Sequence, residues 1–334
     1  MDRVIECVPN FSEGRNPEII NAIAAEIAST VVGASAVKVL NVDPGEAANR
    51  TVITFMGPPE AVCEAAFRAV KKASELIDMR RHSGTHPRIG ATDVLPLVPV
   101  SGITLEECAI LARDLSRRIY VELGIPCYCY EAAAFTPERR NLAVCRSGEY
   151  ESLPSKIADP ALRPDFSPEV YNEVVARSGA CNVGARNFLI AVNFNLDTKS
   201  ADLAHEVACD VRQKGRKVDG QWQRGPLVGC KAIGWYIEEY GCAQVSMNIT
   251  DIDATPLHTA YCEVCRAAEA RGLKVTGTEI IGMVPKRVLV EAGTFFAGGT
   301  LPEEELLQTA VNAMGLDDLC PFDPQKKIIE FIYK

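Results

Sequence analysis

Two of the four histidines in this 334-residue chain lie in one short segment that is rich in arginine and glycine. The segment reads Met79-Arg80-Arg81-His82-Ser83-Gly84-Thr85-His86-Pro87-Arg88-Ile89-Gly90. Histidine titrates near neutrality and can both accept and donate a proton, and arginine binds anionic groups through paired N–H donors. This combination indicates proton transfer beside a bound anion, and a solvated turn is the plainer alternative.

The spacing of His82 and His86 would also suit two metal ligands on one face of a helix. However, Ser83-Gly84 and Pro87 interrupt any helix here, and no glutamate lies between the two histidines. The Cys262-x-x-Cys265 pair falls in a helical pattern without a second pair at zinc-ribbon spacing. Most of the thirteen cysteines lie in apolar runs, which predicts buried thiols, no disulfide, no metal and a cytoplasmic, reducing compartment.

Composition and motifs exclude several other classes of protein. A hydrophobic content of 47% with 24% charged residues is typical of folded globular proteins. The net charge of −9 argues against a nucleic-acid partner, and neither a membrane-spanning run nor a secretory leader is visible. Glycine-rich nucleotide loops and the Gly-x-Ser-x-Gly elbow of serine hydrolases are also absent from the sequence.

The hydrophobic pattern predicts the order βαββαβ twice. The first copy has strands at 3–8, 36–42, 51–56 and 94–100, with helices at 16–29 and from 59. The second has strands at 188–196, 231–238, 243–249 and 274–282, with helices at 197–214 and 256–271. A helix from 104 and a strand at 127–130 follow the first copy, and a proline-punctuated linker or surface loop follows Gly148. We therefore expect an α/β (α+β) fold of two ferredoxin-like subdomains, at 1–180 and 181–326, with a tail at 327–334.

Several stretches of the chain together resemble the glutamate formimidoyltransferase family, in its form without a cyclodeaminase domain. They are residues 6–15 (ECVPNFSEGR), 49–52 (NRTV), 86–88 (HPR), 90–94 (GATDV), 184–190 (GARNFLI), 234–236 (GWY), 257–259 (LHT) and 315–322 (GLDDLCPF). The resemblance implies transfer of a formimidoyl group from N-formimidoyl-L-glutamate to N5 of tetrahydrofolate, as in histidine degradation. It also implies a homodimer with sheets facing a substrate cleft or tunnel, small-molecule partners and no metal.

Carried over by position, the resemblance implies that His86 is the catalytic acid–base and that Asp43 is its partner. Without the resemblance, Asp43 before Pro44-Gly45 reads as a turn residue. The folate-binding stretch corresponds to residues 167–179. Its expected folate contacts are Ser167, Pro168, Arg177, Ser178 and Gly179.

A single side chain that acts first as a base and then as an acid suits this chemistry, because the incoming amine loses a proton and the leaving amine gains one. Both substrates carry carboxylates, so Arg88 and Arg186 are the expected substrate ligands. The chain differs from the family where Asn41 replaces an acid and where Arg177-Ser178-Gly179-Ala180 lacks an expected tryptophan. The alternatives are another donor, such as formimidoylglycine or formylglutamate, and a non-catalytic folate-binding module.

Overall fold

The computed structural model describes residues 3–332, and the chain divides into two compact units after Asn187. The strands of the first unit are β1 (Val4–Cys7), β2 (Asn10–Phe11), β3 (Val31–Val32), β4 (Ser35–Ala36), β5 (Lys38–Gly45), β6 (Arg50–Gly57), β7 (Thr92–Ser101), β8 (Cys127–Glu131) and β9 (Cys181–Ala185). Its helices are α1 (Pro17–Ala28), α2 (Pro59–Leu76), α3 (Leu105–Leu123), α4 (Leu142–Cys145), α5 (Leu153–Ala158) and α6 (Glu173–Ser178).

Seven of these strands form one sheet in the first unit. β6 lies between edge strand β5 and the interrupted strand β1–β2, which in turn pairs with β7, all antiparallel. This is the strand order of a ferredoxin-like βαββαβ unit and confirms the prediction. β9 then adds in parallel to β7, and β8 adds in parallel to β9.

The helices of the first unit form where the sequence supplies both an apolar stripe and a cap. Asn16 caps α1, and Pro17 occupies its first turn. Thr104 and Glu107 form the reciprocal capping box that the sequence predicts for α3. The apolar stripes of α1, α2 and α3 pack with Ile53, Phe55 and other strand residues in one core. Each fully buried side chain of this kind stabilises the fold by about 1.5–3 kcal/mol.

The second unit repeats the same topology. Its strands are β10 (Ile190–Leu196), β11 (Arg216–Val218), β12 (Gln221–Gln223), β13 (Cys230–Ile237), β14 (Cys242–Ile249) and β15 (Val275–Ile281). Its helices are α7 (Ala201–Val211), α8 (Leu257–Glu269), α9 (Lys286–Ala297), α10 (Glu303–Met314), α11 (Pro324–Lys327) and α12 (Ile329–Ile332). The sheet order β13-β14-β10-β15 is again ferredoxin-like, and β11 and β12 form a separate hairpin.

The turn predicted at Asp43-Pro44-Gly45 lies later than expected. These three residues continue β5, and Asp43 pairs with Val52 while Gly45 pairs with Arg50. The strand tolerates Pro44 because β5 is at the edge of the sheet, where the missing N–H breaks no ladder. Asp43 is therefore a strand residue, and the interpretation of it as a turn residue is wrong.

The proline-punctuated stretch after Gly148 is not a linker. It contains two short helices, α5 and α6, whose residues Leu153, Ile157 and Val175 are buried in a small core with Tyr128 and Tyr130 of β8. The division between the units also falls after Asn187 rather than after Ala180, because residues 181–185 form β9 inside the first sheet. Near the C-terminus, Ile328 of the expected tail is buried and pairs with Val284.

Candidate active site

The segment that carries His82 and His86 lies directly on the turn between β5 and β6. Gly84 allows this approach, because a Cβ atom on Gly84 would come within 2.3 Å of the carbonyl oxygen of Ala48. The backbone N–H of Thr85 donates to the carbonyl of Ala47 at 3.3 Å. The glycine in the histidine segment is therefore a packing requirement.

Asn49 joins three segments at this turn. Its backbone is left-handed, with φ of 47°, a conformation that asparagine tolerates better than most residues. Its side chain accepts from the backbone N–H of Gly14 at 3.0 Å and donates to the carbonyl of Ser83 at 2.8 Å. Its own carbonyl oxygen lies 2.8 Å from Nε2 of His82. Asn49 thus fixes both the histidine segment and the first residue of β6, Arg50.

His86 contacts Arg50, the first residue of β6. Nη1 of Arg50 lies 3.0 Å from Nε2 of His86. Because a guanidinium donates and never accepts, Nε2 is the acceptor and the imidazole is neutral. Burial is the largest cause that holds the pKa of His86 well below its usual value, and the positive charges of Arg50 and Arg146 add to it. His86 is therefore a proton acceptor, not a cation, at neutral pH.

Both ring nitrogens of His82 have partners within the chain. Nε2 donates to the carbonyl of Asn49, and Nδ1 accepts from Nε of Arg88 at 3.3 Å. Burial lowers the pKa of His82, which the hydrogen bond to Asn49 partly opposes. This arrangement gives His82 a bracing role in the segment.

Arg88 has acidic and aromatic partners within the chain. Its guanidinium pairs with Glu149 at 3.1 Å and with Glu151 at 2.6 Å, and it lies over the ring of Tyr150. Only 11% of its side chain is exposed. Arg88 therefore ties the histidine segment to residues 149–151, and its binding of a substrate carboxylate stays a prediction.

The predicted folate stretch ends against the histidine segment. The backbone N–H of Ala91 donates to the carbonyl of Ser178 at 2.8 Å, and that of Ala180 donates to the carbonyl of Ile89 at 3.1 Å. Gly179 lies between these two bonds with φ of 69° and pairs with Gly90. Ser178 and Gly179 thus lie against residues 89–91, which follow His86 in the chain.

The other predicted folate residues lie farther along the same stretch. Arg177 donates to the carbonyls of Ser74 and Glu75 at the end of α2, so its guanidinium binds a helix terminus within the chain. Ser167 and Pro168 are partly exposed and follow Phe166, whose backbone pairs with Cys127 of β8. The hydroxyl of Ser167 donates to the carbonyl of Pro168 at 3.0 Å.

Asp43 shares a sheet face with Arg50. Opposed residues of an antiparallel pair point to the same face, as do residues two apart on one strand. The pairs Asp43–Val52 and Gly45–Arg50 therefore place the side chains of Asp43 and Arg50 on one face, diagonally across the two strands. Asp43 therefore lies on the same sheet face as Arg50, whose guanidinium contacts His86.

A buried ion pair that the sequence analysis did not single out supports the segment after His86. The carboxylate of Asp93 binds Arg146 at 2.6 Å and accepts from the backbone N–H of Ile89 at 3.0 Å. Asn49, Arg50 and Asp93 all fall within the stretches quoted for the family resemblance. The resemblance therefore pointed to these positions but assigned no role to their side chains.

Glu6 and Arg186 form a second charged group in the first unit. The Glu6 side chain is buried in β1, and burial raises the pKa of its carboxyl to about 7 against the opposing charge of Arg186. The backbone N–H of Arg186 donates to the carbonyl of Leu97, and its Nη1 donates to the carbonyl of Asn187. Arg186 thus remains the predicted ligand for a substrate carboxylate.

Among residues 3–332, no group of three or more His, Cys, Asp or Glu side chains is arranged to hold a metal ion. The cysteines of this region are free thiols, and eight of them are buried: Cys7, Cys108, Cys127, Cys129, Cys145, Cys181, Cys209 and Cys230. No helix in the described part of the chain is both long and apolar enough to cross a membrane.

Comparison with known proteins covers both units. Residues 4–186 match the formiminotransferase domain, N-terminal subdomain, and residues 191–334 match the formiminotransferase domain. The chain is 46% identical to a formimidoyltransferase-cyclodeaminase of Gallus gallus over 336 residues, which are 99% of this chain and 60% of that protein. Two relatives named glutamate formimidoyltransferase are similar over most of their length. The protein of Streptococcus pyogenes serotype M1 is 38% identical (89% of this chain, 94% of the relative), and that of Thermoplasma acidophilum is 40% identical (88% and 92%).

Proposed function

The chain belongs to the formiminotransferase domain family, and we propose that it transfers the formimidoyl group from N-formimidoyl-L-glutamate to N5 of tetrahydrofolate. The names of the relatives from Streptococcus pyogenes and Thermoplasma acidophilum support the glutamate donor. The observation that carries the proposal is the pairing of residues 89–91 with residues 178–180, which joins the segment of His86 to the end of the expected folate stretch.

His86 is the acid–base in this proposal. N5 of tetrahydrofolate attacks the amidine carbon, and the proton of N5 passes to Nε2 of the neutral imidazole. The tetrahedral intermediate then breaks its bond to the glutamate nitrogen, which takes that proton from Nε2 and leaves as the amine. One base with a depressed pKa serves both steps, and a base of this kind typically accelerates transfer by about 10²–10⁴-fold.

Three further assignments complete the proposed site. Asp43 lies on the sheet face of Arg50 and acts on His86 from there. Residues 167–179 hold tetrahydrofolate, with Ser167, Pro168, Ser178 and Gly179 at the ends of this stretch. Arg186 binds a carboxylate of one substrate, because a charge-assisted bond from arginine is the usual way to hold such a group.

The setting of the reaction is proposed on the same basis. We place the chain in the cytoplasm, because thirteen cysteines without a disulfide among the described residues suit a reducing compartment. The family resemblance supports a homodimer and a place in histidine degradation.

A spectrophotometric assay tests the function. The purified chain is mixed with tetrahydrofolate and N-formimidoyl-L-glutamate, and the folate absorbance is followed while free glutamate is measured. Equal appearance of modified folate and glutamate supports the proposal. A parallel reaction with N-formimidoylglycine ranks the donors. If tetrahydrofolate binds but its spectrum and the donor stay unchanged, the chain is a folate-binding module and the proposal fails.

A further inference from the structure

Four polar side chains on one face of the first sheet have buried atoms that form no hydrogen bond within the described part of the chain. The face is the one turned away from α1, α2 and α3. The atoms are Oδ1 of Asn10 and of Asn182, Nδ2 of Asn41 and the hydroxyl oxygen of Thr54. Buried polar atoms are nearly always paired, because an unpaired one destabilises the fold. A group of four on one face therefore needs a physical explanation.

Asn10, Asn41 and Thr54 form one cluster on that face. Asn10 pairs with Val52 of β6, and Thr54 follows Val52 by two positions and pairs with Asn41 of β5. Paired residues, and residues two apart on a strand, point to the same face. The Cβ atoms of Asn41 and Thr54 are therefore roughly 5 Å apart, yet the amide nitrogen and the hydroxyl do not bond to each other. Both groups are thus available to a third molecule.

Val52 and Val94 supply apolar surface between the polar groups. Asn10 pairs with Val52 on one side and with Val94 of β7 on the other, and Asn182 of β9 pairs with Val94 in turn. Both valines are buried. Nδ2 of Asn182 donates to the carbonyl of Asp93 at 2.9 Å, which leaves its Oδ1 as an acceptor. Apolar surface with a few placed polar atoms is the usual lining of a small-molecule site.

This surface begins two residues from the contact of His86. Arg50, whose Nη1 lies 3.0 Å from Nε2 of His86, is on the same strand and the same face as Val52. The two Cα atoms are about 7 Å apart, at roughly 3.3 Å per residue. Asn10 and Asn41 are partly exposed. A ligand that approaches beside the two asparagines therefore lies close along the strand to the residue that contacts His86.

Tetrahydrofolate carries an edge that complements the cluster. Its pterin is a flat bicycle in which N3–H and the 2-amino group donate hydrogen bonds and O4 accepts them. Oδ1 of Asn10 can accept from one of these donors, Nδ2 of Asn41 can donate to O4, and the hydroxyl of Thr54 can do either. N5, the atom that receives the formimidoyl group in the proposed reaction, belongs to the same bicycle. The pterin must therefore bind beside His86.

We infer that Asn10, Asn41 and Thr54 bind the O4 and N3 edge of the pterin, while Val52 and Val94 contact its flat face. This inference rests on the proposed function and extends it, because it assigns the pterin to strands outside the expected folate stretch. The site then selects a 4-oxo pterin over a 4-amino pterin. An amino group at position 4 would place an N–H against Nδ2 of Asn41, and N3 would lose the proton that Asn10 accepts.

Binding measurements that need no turnover test these contacts. Dissociation constants of tetrahydrofolate and of tetrahydroaminopterin, its 4-amino analogue, are measured by anaerobic calorimetry. We expect the wild type to prefer the 4-oxo compound by at least about 10-fold. Asn41→Leu should remove most of this preference. Asn10→Leu and Thr54→Val should each weaken tetrahydrofolate binding by about 3- to 10-fold, the effect of one lost neutral hydrogen bond. No 4-oxo preference in the wild type, or the full preference in a folded Asn41→Leu variant, overturns the inference.

The stability of the ligand-free variants separates a binding role from a structural one. Thr54→Val removes a buried hydroxyl that has no partner, so it should raise the melting temperature while it weakens tetrahydrofolate binding. The matched control is Thr51→Val on the other face of β6, where the hydroxyl donates to the carbonyl of Glu13 at 2.5 Å. This control should lower the melting temperature and keep the 4-oxo preference. A lower melting temperature in Thr54→Val overturns the inference. Failure of every donor in the assay above, with the 4-oxo preference intact, overturns the proposed function alone.

Discussion

Gly90 and Gly179 lie against each other where the segment of His86 meets the end of the expected folate stretch. A Cβ atom on Gly179 would come within 2.5 Å of Cα of Gly90 and within 2.3 Å of the carbonyl oxygen of Ile89. Both neighbours are backbone atoms, which cannot rotate away. The two segments can therefore pair only because both residues lack a side chain.

Gly179→Ala should weaken this junction. The left-handed backbone and the overlap with Ile89 together should lower the free energy of unfolding by at least about 2 kcal/mol, measured by urea denaturation. Tetrahydrofolate affinity should fall as well. The matched control is Gly220→Ala, which has a similar positive φ of 81° but no atom within 4 Å of the added Cβ. Equal losses in the two variants would show that the close approach at Gly90 contributes nothing.

His86→Ala should lower kcat by about 10²-fold or more with little change in tetrahydrofolate affinity, because a general base acts on the transition state. His82→Ala is the control. Its ring nitrogens bond to Asn49 and Arg88, so we expect lower thermal stability and a kcat within a few-fold of the wild type. Steady-state kinetics of both variants decide between the histidines. The reverse ranking would move the catalytic role to His82.

The pH profile of the free enzyme should show a base that titrates below pH 6.5. Burial and the charges of Arg50 and Arg146 favour neutral His86, so kcat/KM should stay level as the pH falls past 6.5 and decline only at lower pH. Because the folded state resists protonation, His86 also makes the fold less stable below pH 6.5, where the unfolded chain binds the proton. An acid limb above pH 6.5 that disappears in His86→Ala would contradict this assignment.

Glu6→Gln should stabilise the protein at high pH. The folded carboxyl holds its proton up to about pH 7, whereas the unfolded one loses it near pH 4.5, so stability falls as the pH rises through this window. A shift of this size corresponds to roughly 3 kcal/mol above pH 7 as an upper limit. The melting temperature of Glu6→Gln should exceed that of the wild type at pH 8, and the difference should shrink at pH 4.5. A constant difference at both pH values would rule out titration of Glu6.

Asp43→Asn should lower activity by tens-fold or more while thermal stability stays nearly unchanged, since the amide keeps the shape but loses the charge and one acceptor. Kinetics of Asp43→Asn, His86→Ala and the double variant form the measurement. Because Asp43 is proposed to act on His86, the double variant should lose much less activity than the sum of the losses in the two single variants, compared as free energies. Strictly additive losses would separate the two residues.

The periodic parts of the fold could be predicted from the sequence, because hydrophobic spacing and caps act locally. The capping box at Thr104 and the strand pattern of residues 243–249 are examples. Asp43 was placed in a turn because Pro44-Gly45 is a local turn signal, and only the edge position of β5 permits a strand there. Whether a strand lies at the edge or in the centre of a sheet depends on the whole sheet, so a short stretch of sequence does not reveal it.

The residues of the candidate site also divide into those that the sequence identifies and those whose partners only the fold reveals. His86 was identifiable from its residue type and from the family resemblance. The partners of Arg88 and Arg177 were not, because Glu149 and Glu151 lie about sixty residues from Arg88 in the chain and the carbonyls of Ser74 and Glu75 lie about a hundred from Arg177. In a sequence, an arginine without an evident acidic partner is interpreted as a ligand for a bound anion. In the folded protein both side chains are used to hold segments of the chain together.

The position of β9 has a consequence for the order in which the first unit can mature on the ribosome. β9 is the last strand of that unit to be synthesised, yet it lies between β7 and β8 and joins β8 to the rest of the sheet. The nascent chain therefore carries β8 without its neighbour until residue 185 has left the exit tunnel. The whole sheet, and with it the junction at Gly179, can close only at the end of translation of this half, so a ribosome stalled at residue 180 would display an open edge for chaperones to bind.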